Sequence, residues 1–483
     1  MTLLDKLSIF IYDYLWGMPM VILLVGTAII TTLATNLFSF RYFGTVMKTA
    51  FHRMFGKQGE SKNSGIISSL QATSMALGTT IGVGNISGVA TALAVGGPGA
   101  LFWMWVSALF GMTLKMCEIT LALYYRQHTP DGEAYGSPLH YMERGIGRRK
   151  GLKGLSVFLI AVMFIGGLST FFINIQTYTV SEAVGNTFGI SLIAVAVVYT
   201  ILLYLMIYGG LKGLGKISSI LVPIMCLFYI IVGIIIILLN INLVPGIIAN
   251  VVKSAFTGTA AAGGFLGATM MMALRTGVSR AVFSNEAGWG TAPLIHASAK
   301  VDHPVKQGIM GIFEVFMDTF VICTITALVV LISGDWMLGD IDGATLTLTA
   351  FEGTVGYIGR IILAFSVFIF GLTTSSGVFA QLEVYFKYFC DKFHWRKEIV
   401  LQVFKWLYPL PSLIMVIIAV TNGLPGAQLW LLSDLTTAIP IFANCIAILL
   451  LIPVFRRLVN DYKARYLGKG TVAADEKIFF EEK

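Results

Sequence analysis

Charged residues are scarce in this sequence. Lysine, arginine, aspartate and glutamate together make up 12% of its 483 residues, whereas hydrophobic residues make up 56%. Soluble domains carry about 25% charged residues, so the scarcity of charge excludes an ordinary soluble protein. The net charge of +8 therefore has to be interpreted through the positions of the loops, and it predicts no nucleic-acid partner.

Cysteine is also rare. None of the five cysteines has the CxxC spacing of a metal or redox site, and we interpret all five as buried free thiols. We also find no nucleophile–base pair, metal cluster or phosphate-binding loop in the sequence, so we predict neither an enzyme nor an organic cofactor. The cysteines are Cys117, Cys226, Cys323, Cys390 and Cys445.

Long apolar segments follow one another along the chain. Many of them approach the ~20 residues that span the hydrocarbon core of a bilayer as a helix. The sequence therefore predicts an all-α polytopic membrane protein with eleven transmembrane helices embedded in lipid. The segments lie near residues 14–38, 66–96, 98–125, 152–182, 190–209, 215–240, 255–290, 307–333, 355–388, 398–421 and 427–455.

The loops between these segments alternate in charge. Those after the first, third, fifth, seventh and ninth segments are basic, whereas the even-numbered loops contain almost no lysine or arginine. By the positive-inside rule, the N-terminus lies outside a plasma (inner) membrane. The C-terminal tail, residues 458–483, then lies in the cytoplasm.

The stretch GTTIGVGNISG, from Gly78 to Gly88, interrupts the second apolar segment. Each glycine in a helix costs about 1 kcal/mol relative to alanine. Part of the stretch imitates a dinucleotide-binding fingerprint, but that motif needs a preceding strand. Its GxxxG pairs indicate close helix packing, which does not account for the interleaved Thr79, Thr80 and Asn85. We therefore favour a helix break that exposes backbone groups to a bound solute.

A second glycine-rich stretch, AAAGGFLGAT from Ala260 to Thr269, lies in the seventh segment. Each of the two stretches falls in the first segment of a block of five, the blocks being residues 66–242 and 243–457. Under the predicted topology the blocks enter the membrane from opposite sides. Paired breaks of this kind indicate the mid-membrane site of a transporter built from inverted repeats.

A helix break can hold both ends of a zwitterion without a charged side chain. Amide groups at the start of the second half-helix suit a carboxylate, and the freed carbonyls of the first half-helix suit an ammonium group or a small cation. The run FGLTTSSG, from Phe370 to Gly377, adds four hydroxyls that either bond to their own helix or contribute to a sodium site. Because neither break contains a carboxylate, we expect sodium rather than proton coupling.

Several charged residues lie inside apolar segments. Glu314 and Asp318 share a helix face at i, i+4 spacing, and Lys115 and Glu118 lie three residues apart. Intramembrane charges are functional candidates by default. Because these four lie toward the cytoplasmic ends of their segments, we expect structural or gating roles for them, and we interpret Arg280 as an interfacial topology charge.

Four longer stretches are distinctive: GVGNISGVATALAVGGPGALFWMW from Gly82, DGEAYGSPLHYMERGIG from Asp131, AFTGTAAAGGFLGAT from Ala255 and SNEAGWGTAPLIHASAKVDHPVKQG from Ser284. They resemble signatures of the alanine/glycine:cation symporter family. The resemblance implies a leucine-transporter-type 5+5 inverted repeat with two discontinuous helices and an extra N-terminal helix within residues 1–65. It also implies sodium-coupled uptake of alanine, glycine or related small neutral amino acids by alternating access, with Na⁺ as the co-transported ion.

The resemblance further implies roles for particular residues. The first break also resembles that of neurotransmitter:sodium symporters, which implies that two of its backbone amides meet the substrate carboxylate. The implied substrate-binding residues are Thr79, Thr80, Gly82, Val83, Gly84, Asn85, Gln176, Gly264, Phe265 and Gly267, and the implied sodium-binding residues are Gly78, Ile81, Phe370, Thr373 and Thr374.

The ninth segment departs from the family pattern at Val378, where the family commonly has tryptophan. Because valine leaves more space, we expect Val378 to line a widened pocket with broader or shifted specificity. The segment from Ser284 to Gly290 is predicted to form part of an inner gate, in which Glu286 pairs with a basic loop residue. The alternative is a transporter of the same fold for another amino acid or zwitterion, or a proton-driven one. We expect a monomer.

Overall fold

The computed structural model describes residues 10–55, 65–129, 133–148, 151–259, 268–338, 343–424, 426–472 and 477–480. This part of the chain is mostly helical, with one short antiparallel hairpin of β1 (Gln127–His128) and β2 (Ala134–Tyr135). The α-helices are α1 (Met18–Ala34), α2 (Phe38–Arg41), α3 (Phe43–Phe55), α4 (Ser69–Thr80), α5 (Ser87–Gly96), α6 (Gly99–Tyr124), α7 (Pro138–Tyr141), α8 (Lys153–Phe172), α9 (Gln176–Phe188), α10 (Leu192–Ile207), α11 (Gly210–Leu239), α12 (Val244–Thr257), α13 (Met270–Asn285), α14 (Ala292–His296), α15 (Pro304–Val315), α16 (Thr324–Ser333), α17 (Gly343–Val355), α18 (Tyr357–Phe393), α19 (Lys397–Leu407), α20 (Leu410–Thr421) and α21 (Gly426–Leu467).

Five short stretches have other helical forms. Three are π-helical and two are 3₁₀ turns. A π-helical stretch joins α15 to α16 within one apolar span, and such insertions are frequent at functional sites. The π-helical stretches are Phe10–Leu15, Met142–Arg148 and Phe316–Cys323, and the 3₁₀ turns are Val83–Asn85 and Asp335–Met337.

The lengths and the apolar character of the helices are those of a multi-pass membrane protein. In the described part of the chain, seven helical spans are long and apolar enough to cross a bilayer, or eight if the bent pair Ser69–Thr80 and Val83–Gly96 forms one span. The helices α1, α10 and α12 are apolar but shorter. Each of the eleven predicted segments contains helix, and the seventh is interrupted as predicted, because α12 ends at Thr257 and α13 begins at Met270.

Burial separates a central helix from lipid-facing ones. In α6, 83% of the most apolar 18-residue stretch is buried, whereas the corresponding value for α11 is 33%. Along α11 the apolar side chains of Ile220, Ile224, Leu227 and Ile231 are exposed. Their spacing of three or four residues places them on one face of the helix, as a surface facing hydrocarbon requires.

Glycine allows the central helix to touch its neighbours through the backbone. A Cβ placed on Gly277 of α13 would lie 2.4 Å from the carbonyl oxygen of Ala100, and one placed on Gly99 would lie 2.7 Å from the amide nitrogen of Ala255. Small residues of this kind are the usual means of close helix packing in membranes. They fix α6 against α12 and α13.

Replacing Gly277 with alanine should therefore destabilise the protein. The added methyl group meets backbone atoms that cannot rotate away, and overpacking typically costs about 1–3 kcal/mol. The thermal unfolding midpoint in detergent measures the effect. Gly26→Ala is the matched control, because no atom lies within 4 Å of a Cβ at that position. Equal midpoints for the two variants would contradict the packing argument.

Candidate functional site: a cavity between two interrupted helices

The first predicted break is present. Helix α4 ends at Thr80, Ile81 and Gly82 are extended, and a 3₁₀ turn from Val83 to Asn85 leads into α5. The helix direction bends by 46° between α4 and the stretch Val83–Gly96. The amide of Gly82 donates to Asn85 Oδ1 at 2.8 Å, whereas the amides of Val83 and Gly84 have no hydrogen-bond partner among the described residues. The break thus presents two unpaired donors at the start of a helical turn.

Helix α18 packs directly on this break. The Thr374 hydroxyl donates to the carbonyl oxygen of Gly78 at 3.0 Å. A Cβ on Gly82 would lie 2.3 Å from Thr374 Oγ1, and one on Gly377 would lie 1.9 Å from Thr79 Cγ2. The absence of side chains at these glycines is what lets the two helices approach so closely.

The four consecutive hydroxyls of α18 have different partners. Thr373 donates to the carbonyl oxygens of Phe370 at 3.0 Å and Ile369 at 3.1 Å, and Ser376 donates to the carbonyl of Thr373. Apart from a 3.9 Å contact of Thr373 Oγ1 with Met225 Sδ in α11, the bonds of these two hydroxyls stay within their own helix. Of the predicted sodium-binding residues, Gly78 in α4 and Thr374 in α18 contact each other directly. Phe370 and Thr373 lie close to Thr374 in α18, and Ile81 is the extended residue that directly follows α4. These hydroxyl and carbonyl oxygens are hard, uncharged ligands of the kind that coordinates Na⁺ in transporters.

The helix is interrupted at the predicted glycine-rich stretch, between Thr257 and Met270, and a further interruption, at the other end of α13, reaches the cavity. Helix α13 runs without a break from Met270 to Asn285, and the chain then turns through Glu286 (φ 60°), Gly288 (φ 91°) and Gly290 (φ 83°) before α14 begins. The expected contacts Gly264, Phe265 and Gly267 lie outside the described residues. At 1.5 Å per residue, Met270 lies about 20 Å from Phe283 along α13, which places the start of that helix far from the cavity.

A small cavity joins the two interruptions. Most predicted substrate contacts line it, together with Thr374. Asn85 does not, because its side chain is directed to Gly82 and to Asp318. The predicted residues that line the cavity are Thr79, Thr80, Gly82, Val83, Gly84, Gln176, Val378 and Glu286; those that sequence reasoning missed include Asn174, Phe283, Trp289, Thr291, Gln381, Ser433 and Thr436.

A third bend lines the same cavity. Helix α8 ends at Phe172 and α9 begins at Gln176, whose amide is satisfied by Asn174 Oδ1 at 3.1 Å. The Gln176 Oε1 atom and the Trp289 Nε1 atom are both buried without a hydrogen-bond partner. Buried polar groups are normally paired, so these two are available to a ligand. The polar pair of Asn174 and Gln176 inside an apolar segment was the available sequence signal.

Glu286 does not have the partner expected of it. Its carboxylate accepts hydrogen bonds from Thr291 at 2.7 Å and from Gln381 at 3.4 Å. No lysine, arginine or histidine among the described residues forms an ion pair with it. The prediction of a gate pair with a basic loop residue is therefore not met, and Glu286 lies in the cavity wall instead.

Lys115 joins the two interruptions from behind the cavity. Its Nζ atom lies 3.2 Å from Glu314 and donates to Thr80 Oγ1 at 3.0 Å and to the carbonyl oxygen of Asn285 at 2.9 Å. The second Glu314 oxygen lies 2.9 Å from His296 Nε2. Lys115, Glu314 and His296 are fully buried, so pairing with one another, and not contact with solvent, accommodates these charges.

Asp318 makes a second connection between the interruptions. One of its oxygens accepts from Asn85 at 2.5 Å and from Ser284 at 2.8 Å, and the other accepts from Thr319 at 2.8 Å. Asn85 belongs to the first break, whereas Ser284 lies at the end of α13. Both oxygens of the carboxylate are therefore occupied in linking the two interrupted helices.

Arg280 is not an interfacial charge. It forms two hydrogen bonds with Asp434, at 2.7 and 2.8 Å, and both side chains are buried. Its guanidinium carbon also lies 5.0 Å from the centre of the Trp430 ring. The pair ties α13 to α21.

An interrupted helix whose free main-chain groups line a cavity between apolar spans is typical of secondary transporters. The overall fold agrees with this class. The chain aligns with the structure of MhsT in complex with L-phenylalanine at a TM-score of 0.51, over 82% of this chain and 99% of that one, with 15% identity. A manganese transporter from Eremococcus coleocola aligns with a TM-score of 0.50 and 13% identity, over 86% of this chain and 92% of that one.

The sequence profile of the sodium:alanine symporter family matches residues 1–475. The sodium/alanine symporter AgcS of Methanococcus maripaludis is 36% identical over 94% of this chain and 95% of its own length. The amino-acid carrier protein AlsT of Bacillus subtilis is 34% identical over 98% and 94%, and the probable sodium/glutamine symporter GlnT of the same species is 33% identical over 95% and 91%. The chain belongs to the sodium:alanine symporter family, whose members are amino-acid transporters and not enzymes.

Removing the charge of Asp434 should strongly destabilise the protein. Asp434→Asn leaves Arg280 buried without a counterion, and breaking a buried pair costs about 3–5 kcal/mol. Glu352→Gln is the matched control, because its partner Arg360 lies 2.7 Å away in a partly exposed pair and such pairs contribute less than about 1 kcal/mol. Thermal unfolding in detergent compares the two variants. A loss no larger for Asp434→Asn than for Glu352→Gln would contradict the assignment.

Proposed function

We propose that the protein is a sodium-coupled symporter that imports small neutral amino acids by alternating access. The observation that carries the proposal is the arrangement at the first break. The unpaired amides of Val83 and Gly84 line the same cavity as Thr374, whose hydroxyl contacts the Gly78 carbonyl. A site for an anionic group and a site for a small cation therefore adjoin on one interrupted helix.

The two ends of the break suit opposite charges. Unpaired amides at a helix start carry the positive end of the helix dipole and favour the substrate carboxylate. Carbonyl oxygens at the end of α4 carry the negative end and favour Na⁺. In the proposed sodium site the oxygens come from Gly78, Ile81, Phe370, Thr373 and Thr374, of which Gly78 and Thr374 contact each other across the two helices.

Coupling follows if sodium selects one conformation. An ion held between α4 and α18 would fix the break in the shape in which its amides are positioned for a carboxylate. Substrate would then bind best to the state that sodium has already favoured, which is the thermodynamic basis of symport. Lys115 and Asp318 support this proposal, because each contacts both interrupted helices and would pass a movement of one to the other.

The proposed membrane arrangement has eleven spans, with the N-terminus outside and the C-terminus in the cytoplasm of a plasma membrane. Residues 1–65 supply the extra first helix, and residues 66–242 and 243–457 form the two five-helix repeats. The shared fold with MhsT and the alternation of basic loops support this arrangement. The protein is proposed to act as a monomer surrounded by lipid.

A larger neutral amino acid is the second candidate substrate. Val378 lines the cavity where the family commonly has tryptophan, and the buried Gln176 Oε1 atom in the same wall lacks a partner. A carbonyl oxygen of this kind would accept a hydrogen bond from a side-chain amide. One relative is named as a sodium/glutamine symporter, which also favours this candidate.

Uptake into proteoliposomes tests the proposed function. Labelled alanine should accumulate under an inward sodium gradient, and a pH gradient should not replace it. Gly82→Ala should reduce this uptake more than tenfold, because the added carbon would lie 2.3 Å from Thr374 Oγ1. Gly88→Ala is the matched control in the same stretch, because its nearest contact, to Trp430, is an ordinary 3.5 Å.

Three results would contradict the proposal. The substrate class is wrong if neither alanine, glycine nor a bulkier neutral amino acid such as glutamine is taken up. The sodium coupling is wrong if a pH gradient alone drives accumulation. The placement of the site is wrong if Gly82→Ala and Gly88→Ala transport equally well.

Substrate size should depend on residue 378. Val378→Trp should narrow the accepted substrates toward alanine and glycine, because the indole would fill cavity space beside the substrate side chain. Val378→Leu, which adds a single carbon, should change the profile much less. Competition of unlabelled amino acids with labelled alanine measures the profile. An unchanged profile in Val378→Trp would mean that this residue does not limit substrate size.

A further inference from the structure

One buried carboxylate in the cavity wall has an oxygen without a partner. Glu286 is 3% exposed. Its Oε2 atom accepts the hydrogen bonds from Thr291 and Gln381, whereas its Oε1 atom has no hydrogen-bond partner among the described residues. The left-handed backbone at Glu286 (φ 60°) ends α13 and brings this side chain to the cavity.

The other buried acids near the two interruptions are already satisfied. Glu314 pairs with Lys115, and Asp434 pairs with Arg280. Glu118 accepts hydrogen bonds from Asn444 and from the amide of Gly288, and Asp318 accepts them from Asn85, Ser284, Thr319 and Cys323. None of these four acids lines the cavity.

A buried carboxylate without a counterion is unfavourable, because desolvation is not offset by an opposite charge. A ligand that brings a cationic group into the cavity removes this penalty. The cavity also offers unpaired donors for the other end of such a ligand, namely the Val83 and Gly84 amides and Trp289 Nε1. Unpaired donors and an unpaired anion in one cavity match a zwitterion.

We propose that the Glu286 carboxylate binds the protonated amino group of the substrate. This inference rests on the proposed function and adds the feature by which the site recognises an amino acid. The ligand class is therefore a carboxylic acid with a free, protonated amine, and monocarboxylates and N-acylated amino acids are excluded.

An ammonium group suits Glu286 better than a sodium ion does. Sodium needs several oxygens converging on one point, and the neighbours of this carboxylate, Thr291 and Gln381, donate hydrogen bonds to it. The hydroxyl and carbonyl oxygens suited to sodium lie together at Gly78 and Thr374 instead. A single free carboxylate oxygen accepts one N–H of an ammonium group.

Equilibrium binding to the purified protein in detergent, at a fixed saturating sodium concentration, tests the inference. The probe is labelled alanine, and the competitors are propionate, N-acetylalanine and alaninamide. In the unmodified protein, alaninamide, which keeps the protonated amine but has an uncharged carbonyl group in place of the carboxylate, should compete weakly, and the other two should not compete. Glu286→Gln keeps the size and the hydrogen-bonding neighbours but removes the charge, so alanine affinity should fall about 10- to 100-fold, as for the loss of a charged hydrogen bond.

Glu383→Gln is the control, since it removes an acid of α18 whose ion pair with Lys387 at 2.6 Å lies outside the cavity lining. The Glu383→Gln protein should bind alanine normally.

In the Glu286→Gln protein, competition by alaninamide should be lost. The sodium concentration for half-maximal alanine binding in this variant should stay the same as in the unmodified protein. If Glu286 had only a structural or gating role, the Glu286→Gln protein would bind alanine, alaninamide, propionate and N-acetylalanine in the same order of affinity as the unmodified protein does.

Each contrary result has a definite meaning. If the unmodified protein binds alanine but propionate or N-acetylalanine competes as well as alanine does, the amino group is not recognised and the inference is wrong, whatever the variants do. Unchanged alanine affinity in a folded Glu286→Gln protein also overturns it, as does a change confined to the sodium dependence. If the unmodified protein binds no neutral amino acid, the proposed function itself has failed.

Discussion

The contact between Thr374 and the carbonyl of Gly78 is the interaction around which the cavity is built. Backbone groups in a membrane must be paired or must line a protected cavity, and a helix that ends at mid-depth leaves several of them free. Here α18 covers the end of α4 closely enough for a hydroxyl to reach a main-chain oxygen. The glycines at 82 and 377 permit that approach, because a Cβ at Gly82 would lie 2.3 Å from Thr374 Oγ1 and one at Gly377 would lie 1.9 Å from Thr79 Cγ2.

The polar residues behind the cavity hold the two interruptions as one unit. Lys115 and Asp318 each contact both interrupted helices, and Arg280 ties α13 to α21 through Asp434. In a low-dielectric interior each buried charge needs a partner. These residues therefore fix the relative positions of the helices that they join more strictly than apolar packing does. Glu286 differs from them because its unpaired oxygen lies in the cavity wall, where a transported molecule can pair with it.

Local pattern predicted much of the fold and one half of the site. The apolar segments and the break at Gly78–Gly88 were visible because length, apolarity and glycine content are properties of contiguous residues. The interruption in SNEAGWG was predicted only as part of an inner gate, because the stretch AAAGGFLGAT at the other end of α13 has a similar local signal. Only the packing of α13 shows that SNEAGWG contributes to the cavity wall. The run from Thr373 to Ser376 is a similar case, since four hydroxyls look alike in sequence and Thr374 is the one that contacts the first break.

The sequence by itself determined that this chain is a multi-pass membrane protein of the sodium:alanine symporter family, with a helix broken near Gly82. Hydrophobicity and glycine content act over a few residues, so they can be read directly. Tertiary structure alone decided the partners of the buried charges and the composition of the cavity wall. Thr374 and Gly78 are 296 residues apart, and Arg280 and Asp434 are 154 apart. Contacts over such separations depend on how whole helices pack, and no local pattern records them.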